Sequence, residues 1–194
     1  LPEHDYLYYF AFDINSSADR KNPEGLIAAF QKAFPRGSRE RVGLVLKISH
    51  PETRCKVWRR IRRAARRDPR IHLVEKTLRR PQLLALFRAC DCFVSLHRAE
   101  GFGRGLAEAL LLGKQVVTTG YSGNVDFCRE PRVALVRHRM VPLRKGDYMW
   151  GDGQSWAEPD LDHAAELMRS VHANPRPCNG EDFPFDPAAV GHRY

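Results

Sequence analysis

Residues Cys92–Thr118 read CFVSLHRAEGFGRGLAEALLLGKQVVT and contain three structural signals in succession. The apolar run Cys92–Leu96 predicts a buried strand, and the glycine-rich turn after it leads into an apolar run at Gly103–Leu112 that is typical of a helix. Gln115–Thr118 is rich in β-branched residues and predicts the next strand. A strand, a tight turn, a helix and a second strand together indicate a β-α-β unit, the building block of a parallel sheet.

The rest of the chain repeats this alternation. Near-continuous apolar strands between amphipathic helices are typical of a parallel sheet that is buried on both faces. We therefore predict a doubly wound, mostly parallel six-stranded Rossmann-like α/β sheet with helices on both faces, in one domain at 1–174 followed by an irregular tail at 175–194. The other predicted strands are Tyr6–Phe12, Val42–Ile48, Ile71–Val74 and Val133–Val136, and the other predicted helices are Pro23–Phe34, Glu52–Arg67, Pro81–Cys90 and Leu161–His172.

Length and composition are typical of a soluble globular domain. The chain has 194 residues, of which 43% are hydrophobic, and no apolar run approaches the ~20 residues that cross a bilayer. The five cysteines are scattered without paired spacing, which favours reduced thiols and a cytoplasmic location over disulfides or a zinc site. Because the chain begins at Leu1 without a leader-like segment, we expect an excised or processed piece.

The polar loops that follow three of the strands predict one shared binding site. They span 13–22, 97–103 and 119–124. In a doubly wound sheet, ligands bind outside the carboxyl ends of the strands, where the strand order reverses. We expect the three loops to meet at that edge.

The stretch EGFGRGLAE, Glu100–Glu108, carries the strongest chemical signal. Its glycines let the backbone approach a ligand, and the N–H groups that open the next helix form an anion site. A carboxylate can accept two hydrogen bonds from a sugar diol, although both glutamates could simply favour the positive end of the helix. Gly105 and Leu106 are followed by Ala107 and not by a correctly spaced third glycine, so the dinucleotide-binding motif is absent, and Gln115 stands where a phosphate-binding P-loop needs Ser or Thr.

The other two loops offer weaker candidates. Arg20 and Lys21 precede a predicted helix and could neutralise a diphosphate, or they could be a solvated surface pair with Asn22 as a helix cap. In TGYSGNVDF, Thr119–Phe127, the candidates Ser122, Gly123 and Asn124 could donate hydrogen bonds to a ligand or form an ordinary turn.

These residues together resemble a known family. EGFGRGLAE resembles the E-x7-E motif of family-4 retaining glycosyltransferases, which have the two-domain GT-B fold. The resemblance extends from about Tyr6 to about Ser170 and includes RKNPEGLIAAF and TGYSGNVDF. It corresponds to the C-terminal, donor-binding half, so it implies an N-terminal acceptor domain that is absent from these residues.

The resemblance implies a role for each matching position. Glu108 would bind the ribose of a nucleotide sugar, and Glu100 would contact the donor sugar as the catalytic residue. Lys21 would bind the diphosphate, and Arg20 would replace an arginine that many members have where this chain has Ser16. The backbone of Gly101, Phe102, Gly103 and Arg104 would approach sugar and phosphates.

The implied function is hexose transfer from a nucleoside diphosphate sugar to a sugar, lipid-linked or other hydroxyl acceptor in glycan or polysaccharide synthesis. The isolated domain should bind nucleotide with little or no transfer. We expect no cofactor and no metal, the nucleotide sugar being a substrate. Asp160-x-Asp162 looks like a metal motif but opens a predicted helix, which favours capping, and a lone His97 beside the site is interpreted as structural.

A basic helix supports an alternative function. Nine of the 32 Lys and Arg residues lie between Arg54 and Arg70, against a single Asp, in a chain whose net charge is +9. This segment could contact an anionic membrane surface, on the inner face if the protein is peripheral, or bind nucleic acid through Arg59–Arg70. Arginine stems that cover a solvated helix face explain the pattern equally well. A nucleic-acid partner is disfavoured, because only Trp58 interleaves with the cations.

Overall fold

The computed structural model describes residues 3–51 and 56–176. Within them, six parallel strands form one sheet in the order β3-β2-β1-β4-β5-β6, which confirms the predicted fold class. The chain winds from β1 to one edge, returns to β4, and continues to the other edge, so the strand order reverses between β1 and β4. The strands are β1 (Tyr6–Asp13), β2 (Val42–Ser49), β3 (Ile71–Val74), β4 (Cys92–Ser95), β5 (Gln115–Thr119) and β6 (Val133–Val136).

The helices connect the strands much as the apolar periodicity predicts. A four-residue helix after β1 and a 3₁₀ turn at Gly123–Asp126 are additions that the pattern did not predict. The predicted helix Glu52–Arg67 is described from Lys56 onward, since 52–55 lie outside the described residues, as does the predicted tail from 177 onward. The helices are α1 (Ala18–Lys21), α2 (Pro23–Ala33), α3 (Lys56–Arg67), α4 (Arg80–Arg88), α5 (Arg104–Leu111) and α6 (Leu161–Ala173).

The aromatic run in β1 is explained by burial on both faces of the sheet. Successive side chains of a strand point to opposite faces, and both Tyr8 and Tyr9 are 1% exposed or less. Tyr8 packs against Phe30 of α2 and donates a hydrogen bond from its hydroxyl to a carbonyl of α6, 2.7 Å away. Tyr9 packs against Phe87 of α4 with ring centroids 4.6 Å apart. A central strand covered on both faces has no polar alternation, as its sequence indicates.

An antiparallel hairpin lies outside the main sheet and was not predicted. Its strands are β7 (His138–Pro142) and β8 (Ser155–Pro159), and they pair from His138 opposite Pro159 to Pro142 opposite Ser155. Both strands are short and end in proline, which is uncommon inside a sheet. They also lack the apolar run that identifies the other strands.

Two further features bear on the sequence predictions. No helix among residues 3–51 and 56–176 combines the length and apolarity that a membrane span requires.

The three described cysteines, Cys90, Cys92 and Cys128, are buried free thiols, and burial raises the pKa of the Cys90 thiol to about 12.

Candidate functional site

A cavity of about 380 Å³ opens at the carboxyl edge of the sheet between β1 and β4. β1 pairs with β2 along its whole length, but it pairs with β4 only at Tyr8–Cys92 and Tyr9–Phe93. The two strands part beyond that point, and the helices that follow them leave the crevice open. The cavity is lined by the ends of both strands and by polar residues of the loops, among them Asp13, Ser16, Arg20, Lys21, Ser95, Glu100, Gly103 and Arg104.

Two cations and one carboxylate meet on one wall of this cavity. The ammonium of Lys21 contacts Glu100 Oε2 directly, and Arg20 Nη1 lies 3.6 Å from the same oxygen. The guanidinium of Arg20 donates to the carbonyls of Ala99 at 2.6 Å and of Ser16 at 3.1 Å. Its buried Nε has no hydrogen-bond partner among the described residues. The loops after β1 and β4 therefore hold a positively charged group in place before any anion arrives.

The start of α5 also lines the cavity. Gly103 caps this helix with φ of 88° and no side-chain hydrogen bond, a backbone conformation that glycine adopts without strain. The first N–H groups of a helix have no partner within it, so those at Arg104 and Gly105 are available where both residues line the cavity. With the helix dipole they favour an anion, so cations and N–H groups line the same space.

The loop after β5 supports the Glu100 loop from behind. Ser122 Oγ donates to the carbonyl of Glu100 at 2.6 Å, and Gly123 N donates to the same carbonyl at 3.1 Å. The backbones approach so closely that a Cβ on Gly123 would lie 2.8 Å from the carbonyl carbon of Gly101, with the oxygen nearer still. Glycine at 123 is thus needed for a close backbone approach.

A buried polar network lies below these two loops. His97, which is fully buried, directs Nε2 at the carbonyl of Tyr121 and at Asn124 Oδ1, each 3.1 Å away. Asn124 Nδ2 donates to the carbonyl of Thr119 at 3.0 Å, which orients the Asn124 oxygen toward the ring. Nε2 therefore carries the hydrogen, and Nδ1 accepts from Ser95 Oγ at 3.1 Å. Burial lowers the pKa of His97 and keeps the ring neutral, in keeping with the structural role that the sequence predicts.

The comparisons with known proteins fit this geometry. The family model described as "Glycosyl transferases group 1" matches residues 14–142, which is more than half of the chain. The chain belongs to the group 1 glycosyl transferases. The match includes the loops after β1 and β4 that line the cavity, from residue 14 onward, and the loop after β5 that supports them. No curated protein matches this group 1 chain in sequence.

Solved structures share the fold of this group 1 domain at low sequence identity. Sucrose-phosphate synthase from Thermosynechococcus elongatus is 20% identical with a TM-score of 0.65, over 90% of this chain and 38% of that chain. Anabaena HepE in complex with UDP and glucose is 15% identical with a TM-score of 0.61, over 88% and 39%. A UDP-forming α,α-trehalose-phosphate synthase from Burkholderia xenovorans is 16% identical with a TM-score of 0.57, over 88% and 37%.

These likenesses establish the fold of the group 1 domain. It is the Rossmann-like fold of one part of a GT-B glycosyltransferase. The chain spans between 37% and 39% of the length of the three solved chains.

The structure separates the predicted site residues of the group 1 domain, apart from Glu108, into three places. Arg20, Lys21, Glu100, Gly103 and Arg104 line the cavity. Ser122, Gly123 and the fully buried Asn124 lie behind the Glu100 loop, where their hydrogen bonds stabilise it. Gly101 and Phe102 are exposed on that loop, and the Phe102 ring lies 5.0 Å from that of Phe127.

Glu108 occupies a different position from Glu100. It lies a turn into α5, outside the residues that line the cavity. Its Oε1 accepts from Arg80 Nη1 at 2.7 Å, across the gap between α4 and α5. Ribose binding by Glu108 stays a prediction, and a ribose there would replace Arg80, which is 60% exposed.

The Asp160-x-Asp162 pair is a helix cap, as the sequence interpretation favours. Asp160 Oδ1 accepts hydrogen bonds from the backbone N–H groups of Asp162 and His163, at 3.1 and 3.0 Å. In the described part of the chain, no three His, Cys, Asp or Glu side chains come close enough to hold a metal ion.

Sequence reasoning missed two residues that organise the site. Asn22 caps α2 through Gly25 N and also donates from Nδ2 to the carbonyl of Leu96 at 2.9 Å, which joins the loops after β1 and β4. Arg98 donates to Glu158 of β8 through Nε at 2.6 Å and Nη2 at 2.9 Å. The sequence indicates Asn22 only as a helix cap, and it gives no signal for Arg98, whose partner lies in a hairpin that the apolar pattern does not predict.

Proposed function

We propose that this chain is the donor-binding part of a retaining glycosyltransferase that transfers a hexose from a nucleoside diphosphate sugar to a hydroxyl acceptor. The observation that carries the proposal is the cavity of about 380 Å³ between β1 and β4, which Lys21, Arg20 and the start of α5 all line. A diphosphate presents several negative oxygens, which can accept hydrogen bonds from the cations and from the N–H groups of the helix.

Glu100 offsets one of the two positive charges at this cavity. Its carboxylate pairs with Lys21 and lies near Arg20. A diphosphate competes for both cations, and its binding frees the carboxylate to accept hydrogen bonds from sugar hydroxyls. Cation binding and sugar recognition are therefore coupled through one side chain.

The chemistry assigned to this cavity is stabilisation of the leaving group. In transfer, the bond between the anomeric carbon and a diphosphate oxygen breaks, and the bond between that carbon and the acceptor oxygen forms. The acceptor proton passes to the departing diphosphate, whose growing negative charge is stabilised by Lys21, Arg20 and the α5 N–H groups. The acceptor, a sugar or a lipid-linked chain, and an N-terminal GT-B domain that contributes to its binding belong to this proposal.

The likeness to solved structures supports a nucleotide sugar as the donor. HepE, one of the proteins with this fold, is described in complex with UDP and glucose and also with UDP-glucose. The buried free thiols fit a reducing compartment, so we place the reaction in the cytoplasm.

Isothermal titration calorimetry with UDP, GDP and ADP tests the proposal on the 194-residue chain. We expect one nucleotide to bind, and Lys21→Met to weaken it by about 10- to 100-fold, because a charged hydrogen bond contributes about 1.5–3 kcal/mol. The matched control is Lys32→Met, which removes a lysine that pairs with Asp162 on the exposed surface and should change nothing.

A second variant gives the opposite sign. Glu100→Gln removes the negative charge that competes with a phosphate, so we expect free nucleotide to bind severalfold more tightly. Failure of all three nucleotides to bind, or equal loss in Lys21→Met and Lys32→Met, would contradict the proposed function.

A further inference from the structure

A second cavity of about 480 Å³ lies on the other side of the Glu100 loop. Its volume is within the roughly 300–1,000 Å³ usual for small-molecule sites. Arg20 and Glu100 line both cavities, so the two spaces share one wall. The outer wall belongs to the β7–β8 hairpin and its connecting segment 143–154, with Leu143, Tyr148, Trp150, Gln154 and Trp156.

Aromatic rings dominate this outer wall. Trp150 is 92% exposed and Tyr148 is 45% exposed, while Trp156 is 8% exposed. Exposed large apolar side chains beside a cavity are typical of a binding site. The faces of such rings pack against the C–H faces of a sugar ring, and their polar edges remain free for hydrogen bonds.

The polar groups at this wall are available to a ligand. The side chains of Gln154, Ser155 and Tyr148 make no hydrogen bond to any described residue, although all three line the cavity. They offer amide and hydroxyl groups that both donate and accept, as sugar hydroxyls do. The two charged residues in the lining, Arg20 and Glu100, carry opposite charges, and Arg20 Nη1 lies 3.6 Å from Glu100 Oε2. The wall therefore suits a neutral polyol better than a second phosphate.

The hairpin is held firmly in position beside the loop. Arg98 N donates to the carbonyl of Arg20 at 2.8 Å, and Ala157 N donates to the carbonyl of Arg98 at 2.9 Å. The Arg98 guanidinium lies 5.0 Å from the ring centroid of Trp156 and forms two hydrogen bonds with Glu158. Leu143 N donates to the carbonyl of Gln154 at 2.9 Å and closes the connecting segment. These contacts fix the hairpin, Trp156 and the two ends of the segment that carries Trp150 before a ligand binds, and such preorganisation lowers the cost of binding.

From this wall we propose that the second cavity is a subsite for a neutral hexopyranose ring, seated against Trp150 with Gln154 and Ser155 on its hydroxyls. The subsite rests on the proposed function only for the source of the ring. The ring is either the sugar that the donor carries or the terminal sugar of an acceptor, since Glu100 is within reach of both cavities.

Fluorescence quenching of the tryptophans by acrylamide tests the subsite in the 194-residue chain. Trp150 is exposed and Trp58 is buried, so quenching reports mainly on Trp150. We expect UDP-glucose, or maltose with UDP present, to shield Trp150. Trp150→Ala should weaken binding of the shielding ligand by about tenfold and leave UDP affinity unchanged. The matched control is Met149→Ala, a neighbouring residue that is 75% exposed and does not line the cavity.

The outcomes of this experiment distinguish a donor sugar from an acceptor sugar, and they test the subsite separately from the proposed function. A loss in Trp150→Ala for UDP-glucose but not UDP assigns the subsite to the donor sugar, and a loss for maltose alone assigns it to the acceptor. If maltose shields Trp150 but no nucleotide binds, the subsite is supported and the proposed function is contradicted. Nucleotide binding with no shielding by either sugar, or equal effects of Trp150→Ala and Met149→Ala, would overturn the subsite.

Discussion

Replacement of Gly123 by alanine tests whether the loop after β5 sets the position of Glu100. A Cβ at this position would lie 2.8 Å from the carbonyl carbon of Gly101 and closer to its oxygen, whereas ordinary contacts of carbon atoms are about 3.5–4.0 Å. The obstacle is backbone on both sides, so no side-chain rotation relieves it. The two loops must separate by about 1 Å or more, and Glu100 moves with its loop.

The expected magnitude follows from the hydrogen bonds that this separation breaks. Gly123 N and Ser122 Oγ both donate to the carbonyl of Glu100, and each bond contributes about 1 kcal/mol net. A loss of about 2 kcal/mol lowers the unfolding temperature of a chain of this size by about 4–8 °C. A displacement of about 1 Å at a positioned group costs about 100-fold in rate, so we expect transfer by the complete enzyme to fall by that factor.

Differential scanning calorimetry of Gly123→Ala measures the fall in unfolding temperature. Titration with the preferred nucleotide sugar measures the affinity that the displacement of Glu100 is expected to change. The matched control is Gly120→Ala in the same loop, where a Cβ meets its nearest atoms at 3.4 and 3.5 Å. An unfolding temperature within 1 °C of the native chain, together with unchanged nucleotide-sugar affinity, would refute the reasoning.

Two further predictions concern the buried network and the basic helix. Burial lowers the pKa of His97 below its ordinary value of 6.5, so below about pH 6.5 the unfolded chain binds more protons than the folded chain. The contribution of His97 to the free energy of unfolding is therefore complete above that pH, and it is lost as the pH falls through the folded pKa. Urea titrations between pH 7.5 and 5.5 should show this decline, and His97→Gln should remove only part of it, since burial also lowers the pKa of His4 and of His72; a decline that His97→Gln leaves unchanged would contradict the assignment. For the basic helix, we expect a quadruple Arg→Gln variant to melt within about 2 °C of the native chain and to bind nucleotide normally, while any low-salt retention on anionic vesicles or polynucleotide disappears; loss of nucleotide affinity would contradict the separation of this helix from the cavity. The four positions are exposed arginines of α3 with no ion pair among the described residues: Arg59, Arg63, Arg66 and Arg67.

The burial of Trp58 bears on the alternative function of the basic helix. Trp58 is 1% exposed and belongs to the core, with Arg62 over its ring at 5.7 Å. It cannot stack on a nucleic-acid base from that position. Two other arginines of the segment pair with acidic groups, Arg60 with Glu24 and Arg70 with Asp68. Trp58, Arg60 and Arg70 therefore have structural roles, and the arginines of the helix that have no ion pair among the described residues are exposed to solvent.

The sequence alone determined the sheet and the edge at which the site lies. Alternating apolar strands and amphipathic helices leave few arrangements that bury both faces of each strand. Parallel strands place their carboxyl ends at one edge, so the loops that carry Arg20, Lys21 and Glu100 had to meet there. The chain order of the elements was sufficient for this result, because each loop directly follows its strand.

Only the tertiary structure decided which side chains pair across the loops and what lies beside them. Glu108 pairs with Arg80, which is 28 positions away, and Arg98 pairs with Glu158, which is 60 positions away. Such pairs depend on the distance and angle between packed elements, and no local spacing encodes either quantity. The hairpin does not pack a face against the main core, so its strands have no apolar alternation that could identify them. Its Trp156 lies against the Arg98 guanidinium. The sequence therefore located the binding edge, and the packing of distant segments determined its charge pairs and its aromatic wall.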